Sequence, residues 1–122
     1  GQASGVILFY RNTGTRRTAK FDLETDSFGD IRVGRRSTPT IVDVDGDGLP
    51  DLVIGQENSG RLSVAKNVGT RTAPRFEMAA PLLPDLPPMF TPSFADLDDD
   101  GVVELVVGTT SGGLLYYRGV RR

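Results

Sequence analysis

The sequence predicts an all-β chain of β-propeller type, with about two to two and a half blades, each a four-stranded antiparallel sheet. Two observations lead there. The chain repeats itself, Thr38-Pro39-Thr40-Ile41-Val42-Asp43-Val44-Asp45 recurring 53 residues on as Thr91-Pro92-Ser93-Phe94-Ala95-Asp96-Leu97-Asp98. Between repeats, short apolar or β-branched runs alternate with Gly, Pro, Asn and Asp, and no stretch sustains a helical period.

The same offset of 53 carries Asp51-Leu52-Val53-Ile54-Gly55 onto Glu104-Leu105-Val106-Val107-Gly108, and Gly60 onto Gly113. A second echo runs at 55 residues, from Asn12-Thr13-Gly14-Thr15-Arg16 with Phe21 to Asn67-Val68-Gly69-Thr70-Arg71 with Phe76. Strands are expected over 6–10 and 19–23 in a leading partial unit, then over 40–44, 52–54, 62–65 and 76–79 in a complete one. Those over 93–97, 105–107 and 114–117 belong to a final partial unit. Four short strands per roughly 50 residues is the arithmetic of a blade. The expected divisions are 1–37, the last strands of one blade and a connection; 38–90, a complete blade and its connection; and 91–122, a partial final blade. Residues 25–37 and 80–90 read as inter-blade connections. Pro81-Leu82-Leu83-Pro84-Asp85-Leu86-Pro87-Pro88 has the composition of a polyproline II ligand, but it falls where the repeat requires a connection.

Composition excludes several kinds of chemistry. The 122 residues include no His and no Cys, which removes Ser-His-Asp and Cys-His catalysis, zinc and iron–sulfur sites of the usual kind, and disulfides. Hard-cation and carboxylate chemistry remain. A net charge of −2, with Arg16-Arg17, Arg35-Arg36 and Arg121-Arg122 as isolated basic pairs, argues against a nucleic-acid partner. No apolar run approaches the ~20 residues of a membrane-spanning helix, so no membrane insertion is expected; the first residues lack a charged region followed by an apolar one, so any export signal is expected to have been removed or to lie outside these residues. Asn12, Asn58 and Asn67 each have Gly two places on, so no Asn-x-Ser/Thr acceptor occurs.

What chemistry there is sits in two acidic loops, 43–51 and 96–104, which share the pattern D-x-D-x-D-G-x-x-[D/E]. Acids at positions 1, 3 and 5 converge if the backbone curls round one point, and Gly at position 6 permits the turn. Position 7 then offers a carbonyl oxygen and the acid at position 9 closes the shell. The expected ligands are Asp43, Asp45, Asp47, the Leu49 carbonyl and Asp51 in one loop, and Asp96, Asp98, Asp100, the Val102 carbonyl and Glu104 in the other. Such an oxygen set suits Ca²⁺, which accepts six to eight oxygens flexibly, better than the stricter octahedron of Mg²⁺. Four carboxylates in nine residues also repel one another unless a cation neutralises them. The competing reading, that Asp-Gly is ordinary hairpin-turn chemistry with solvated acids, weakens when the pattern occurs twice at the same place in a repeat. An EF-hand is excluded because position 12, which needs a bidentate Glu, is Ile54 in one copy and Val107 in the other.

The loops with their flanks, T-P-[TS]-[IF]-[VA]-D-[VL]-D-x-D-G-x-x-[DE]-L-V-[IV]-G, resemble the FG-GAP or VCBS-type repeats of integrin-α-like β-propellers, over nearly the whole chain and most strongly over 38–55 and 91–108. The resemblance implies an acidic loop between the first two strands of each blade, holding one Ca²⁺, and so two calcium sites here. It also implies a closing Asn after the third strand, met at Asn12 and Asn67 but replaced by Val120 in the last unit. The function it implies is non-catalytic: a calcium-stabilised module for protein or glycan recognition or scaffolding, extracellular, periplasmic or at the cell surface. Two alternatives stand beside it. One is a propeller lectin, for which Tyr10, Tyr116 and Tyr117 are the aromatic candidates, although alternation along a strand sends one of Tyr116 and Tyr117 into the core. The other is an accessory fragment of a metal-dependent secreted enzyme, with Asp98-Asp99-Asp100 activating water, which a closed oxygen cage disfavours. Because a ring usually needs at least four blades, a homo-oligomer or membership of a larger propeller is expected.

Overall fold

The computed structural model describes residues 4–56, 59–82, 86–87 and 89–120. Among them are the strands β1 (Phe9–Asn12), β2 (Phe21–Thr25), β3 (Thr38–Val42), β4 (Asp51–Gln56), β5 (Ser59–Asn67), β6 (Phe76–Ala79), β7 (Met89–Ala95), β8 (Glu104–Thr109) and β9 (Leu114–Tyr117). They pair antiparallel, in sequence order, into sheets of two, four and three strands: β1-β2, β3-β4-β5-β6 and β7-β8-β9. The middle sheet is a complete blade. Of the Pro-rich connection, Leu83, Pro84, Asp85 and Pro88 lie outside the described residues, as do Asn58 and the Arg121-Arg122 pair.

β4 shows why its sequence is a nearly unbroken apolar run. Successive side chains of a strand point to opposite faces, and here both faces are covered. Leu52 and Ile54 join Ile7, Ile31 and Ala65 on one side, with Phe28, Val33 and Phe76 packed around them. Val53 joins Leu62, Val64, Leu86, Leu105 and Val107 on the other. Val53 and Ile54 are fully buried, so Ile54→Ala would cost about 2–5 kcal/mol as a cavity in a packed core. Glycines allow the neighbouring segments to come this close. A Cβ on Gly60 would lie 1.6 Å from the Leu86 carbonyl oxygen of the passing connection, and one on Gly55 would lie 3.0 Å from Cδ of the buried Pro92.

β8 uses the same alternation with one face covered. Leu105 and Val107 enter the cluster shared with the middle sheet, while Val106 is half-buried. On β9, Tyr117 packs against that core and Tyr116 is exposed, the division expected of adjacent strand residues.

The β1–β2 and β5–β6 turns are built alike. Asn12 Oδ1 accepts from the Gly14 and Lys20 N–H groups at 2.9 and 3.1 Å, and Asn67 Oδ1 accepts from Gly69 and Arg75 at 2.9 and 3.2 Å. Each amide Nδ2 then donates to a carbonyl three residues on, Thr15 or Thr70. One side chain thus closes the turn from within, which explains the sequence echo at 55 residues.

Strand ends differ from expectation where side chains or connections capture the backbone. β1 starts at Phe9 rather than residue 6, because Gly5 and Ile7 bond to the following connection instead: Val33 N–H donates to Gly5 O at 3.0 Å and Phe28 N–H to Ile7 O at 2.8 Å. β3 and β7 end at Val42 and Ala95, two residues short of the expected 44 and 97. There Asp43 and Asp96 begin to collect loop N–H groups.

Candidate metal centre

Both acidic loops join the first two strands of a sheet, β3 to β4 and β7 to β8. In the first, Asp43 works as a hub. Its Oδ1 accepts from Gly46 N–H at 2.8 Å and Asp47 N–H at 3.2 Å, and its Oδ2 accepts from Gly48 N–H at 2.8 Å. In the second loop Asp96 does the same for Asp100 at 3.1 Å and Gly101 at 2.9 Å. The first acid therefore curls the backbone round itself, which brings later acids back toward it.

Asp43, Asp45 and Asp51 each place a carboxylate oxygen within 4.8 Å of the others, and so do Asp96, Asp98 and Glu104. Two oxygens bound to one calcium at 2.3–2.6 Å can be no more than about 5 Å apart, so each group fits a single ion. Position 5 stands outside both groups: Asp47 Oδ1 accepts from Leu49 N–H and Asp100 Oδ1 from Val102 N–H, each at 2.8 Å. Leu49 and Val102 are half-buried.

The closing acids are the buried members, Asp51 at 1% exposure and Glu104 at 0%. Asp51 is fully satisfied, Oδ2 accepting from Val44 N–H at 3.1 Å and Oδ1 from Asn67 N–H at 2.8 Å. Glu104 is not. Its Oε2 accepts from Leu97 N–H at 2.8 Å, but Oε1 is buried with no hydrogen-bond partner. A buried carboxylate oxygen without a donor is costly, and a divalent ion held with Asp96 and Asp98 would remove that cost.

Strand register corrects the sequence alignment. Leu52 on β4 faces Ala65 on β5, but its counterpart Leu105 on β8 faces Tyr117, which lies 52 rather than 53 residues beyond Ala65. The β8–β9 hairpin is one residue shorter, turning through Gly112 and Gly113 at φ 86° each. Arg118 therefore matches Lys66, and Gly119, not Val120, occupies the closing-Asn position. Arg118, Gly119 and Val120 line an open cavity with Asp100 and Val102.

Sequence reasoning missed the basic residues of the site. Lys66 Nζ pairs with Asp45 Oδ2, Arg118 reaches Asp98 Oδ2 at 3.1 Å, and Arg71 donates to the Gly48 carbonyl at 2.9 Å. The Lys66 ammonium holds the Asp45 carboxyl below its ordinary value, and Asp45 holds Lys66 above its own. Desolvation, then the charges of Glu104 and Asp98, hold the Tyr116 phenol up. The available signal was a base preceding the closing position in Arg11-Asn12 and Lys66-Asn67, hidden in the third copy by the shorter hairpin.

Searches of curated proteins and of solved structures return no match. The FG-GAP-like repeat family matches residues 43–107, a span that starts in the first acidic loop, runs through the second and takes in more than half of the 122 residues. The chain belongs to the FG-GAP-like repeat family.

Proposed function

We propose that this repeat module is calcium-stabilised and non-catalytic, serving protein or glycan recognition or scaffolding outside the cytoplasm, in the extracellular space, the periplasm or at the cell surface. One observation carries the calcium reading: three-acid groups recur at the same place in successive sheets, and one of them contains a buried carboxylate oxygen with no protein donor. In this reading Asp43, Asp45 and Asp51, and Asp96, Asp98 and Glu104, hold the ions. Asp47, Asp100 and the carbonyls of Leu49 and Val102 supply further oxygens. The bound ion offsets part of the loop's negative charge, and an all-protein oxygen shell supports a structural role. Exposed Tyr10, Leu23, Leu114 and Tyr116 give the outer sheets apolar surface to offer a partner, another copy of the chain included.

Calorimetric titration with Ca²⁺ tests the reading. Two equivalents are expected, and Asp45→Ala and Asp98→Ala should each remove one. At a dissociation constant of roughly 10⁻⁴ M, 1 mM Ca²⁺ would add about 1.4 kcal/mol per site. Melting should rise accordingly with Ca²⁺ and fall with chelator; a melting temperature indifferent to both would overturn the reading.

A further inference from the structure

We infer that the basic residue at the C-terminal end of the third strand, Lys66 one residue before the end in one sheet and Arg118 one residue past it in the next, is a resident rival to the divalent ion that sets how tightly each loop holds it. The inference rests on the calcium reading above and adds the chain's own regulation of those sites.

Three features support it. First, Lys66 and Arg118 are equivalent by strand register, although no single sequence offset aligns both them and the loops. Second, each lands on the second acid of its loop, Asp45 or Asp98, and each of those belongs to its three-acid group. Third, Arg11 precedes Asn12 as Lys66 precedes Asn67, but its sheet contains no acidic loop among the described residues. Arg11 turns instead to Glu24 on the neighbouring strand, with Nε and Nη2 at 3.0 and 2.9 Å from the two carboxylate oxygens. The side chain at this position pairs with whichever acid is in reach, and in the two looped sheets that acid is a metal-ligand candidate.

The competition is electrostatic. A divalent ion that uses Asp45 must displace the Lys66 ammonium or share a carboxylate with it, and two cations on one carboxylate repel. Without metal, the side-chain cation partly neutralises the loop. With metal, it stands beside a second cation on the same carboxylate. The flexible Lys stem can withdraw into solvent, since Lys66 keeps 41% of its side chain exposed; Arg118 keeps 67%.

The test titrates Ca²⁺ into the full chain carrying K66M, K66R or R118M. Removing the charge in K66M should tighten the first site about two- to fivefold, the range corresponding to an exposed ion pair. R118M should do the same at the second site, and K66R should bind like the unchanged chain. Melting provides the second readout: K66M should melt lower than the unchanged chain in chelator, and the gain on adding Ca²⁺ should widen. A purely structural pair would lower melting equally with and without Ca²⁺ and leave affinity unmoved. If the unchanged chain binds Ca²⁺ and neither K66M nor R118M binds more tightly, the inference is overturned and the calcium reading stands. If none of the proteins binds, both fall. Binding gained only on losing the charge would support the inference.

Discussion

The two acidic loops share a pattern and a place in the sheet, yet they are built to different degrees of self-sufficiency. In loop 43–51 the buried closing acid meets two backbone donors, Val44 and Asn67. The fourth and sixth positions are both Gly, at φ 75° and 86°, and Arg71 ties down the Gly48 carbonyl. In loop 96–104 the closing Glu104 has one donor and one unpartnered oxygen, and the fourth position is Asp99, held at φ 60°. The first loop can hold its shape with protein groups alone. The second leaves a deficit that a cation would fill, so equal sequence signatures do not imply equal dependence on metal.

The largest expected effect separates the two closing acids. Asp51→Ala strands one buried and one part-buried N–H donor, those of Asn67 and Val44, and should cost about 3 kcal/mol, each orphaned donor accounting for about 1–3. Glu104→Ala strands only the Leu97 N–H and removes an oxygen that had no partner, so in chelator it should cost about 1–2 kcal/mol, less than Asp51→Ala. Urea unfolding in chelator, with the slopes compared, measures both. With millimolar Ca²⁺ the loss at Glu104 should grow, because the variant forfeits its ion as well. Equal losses in chelator would break the comparison.

How much of this was legible in sequence follows from which interactions are local. Asp43 to Asp51 lie within nine residues and their backbone donors lie among them, so the pattern exposes the loop directly. β4 was equally plain, since Leu52, Val53 and Ile54 can only be buried together. What stayed hidden depends on pairing across strands. Whether Val120 or Gly119 closes the last sheet is decided by one residue in a distant hairpin, and the same slip concealed that Arg118 does what Lys66 does. Residues 6–8 looked like strand because they are apolar. Ile7 is indeed buried, but its backbone bonds to a connection rather than to a sheet, a choice that hydrophobicity does not encode. Nor does composition show that Asp47 and Asp100 turn to their own loop N–H groups.

A smaller effect tests backbone strain. A non-Gly residue at positive φ is disfavoured, Asp less than most, and loop 43–51 already has Gly46 where loop 96–104 has Asp99. Asp99→Gly should therefore stabilise the chain by about 0.5–1 kcal/mol, with Gly46→Ala losing a comparable amount. Thermal melts of both variants in chelator decide the matter; if Asp99→Gly is destabilising, the left-handed residue is not the weak point of the second loop.

The smallest effect is in acid titration of the first loop. The Lys66 partner lowers the Asp45 carboxyl below its ordinary value, so the pair's contribution to stability is present above the unfolded carboxyl value, near 3.8. It is lost as pH falls through the still lower folded value. Asp45 likewise raises Lys66, so on the alkaline side the contribution is complete below the unfolded lysine value, near 10.5, and is lost as pH climbs through the raised folded one. Across the neutral range the pair is constant. Side-chain carbonyl chemical shifts followed by NMR in chelator should show Asp45 titrating at lower pH than a free aspartate, and K66M should move it upward. Since the pair is partly exposed, raising the ionic strength should shrink the difference between the chain and K66M. An Asp45 midpoint that ignores both the substitution and the salt would mean that the ammonium spends its time in solvent, and that the first loop faces an incoming ion with no cation of its own.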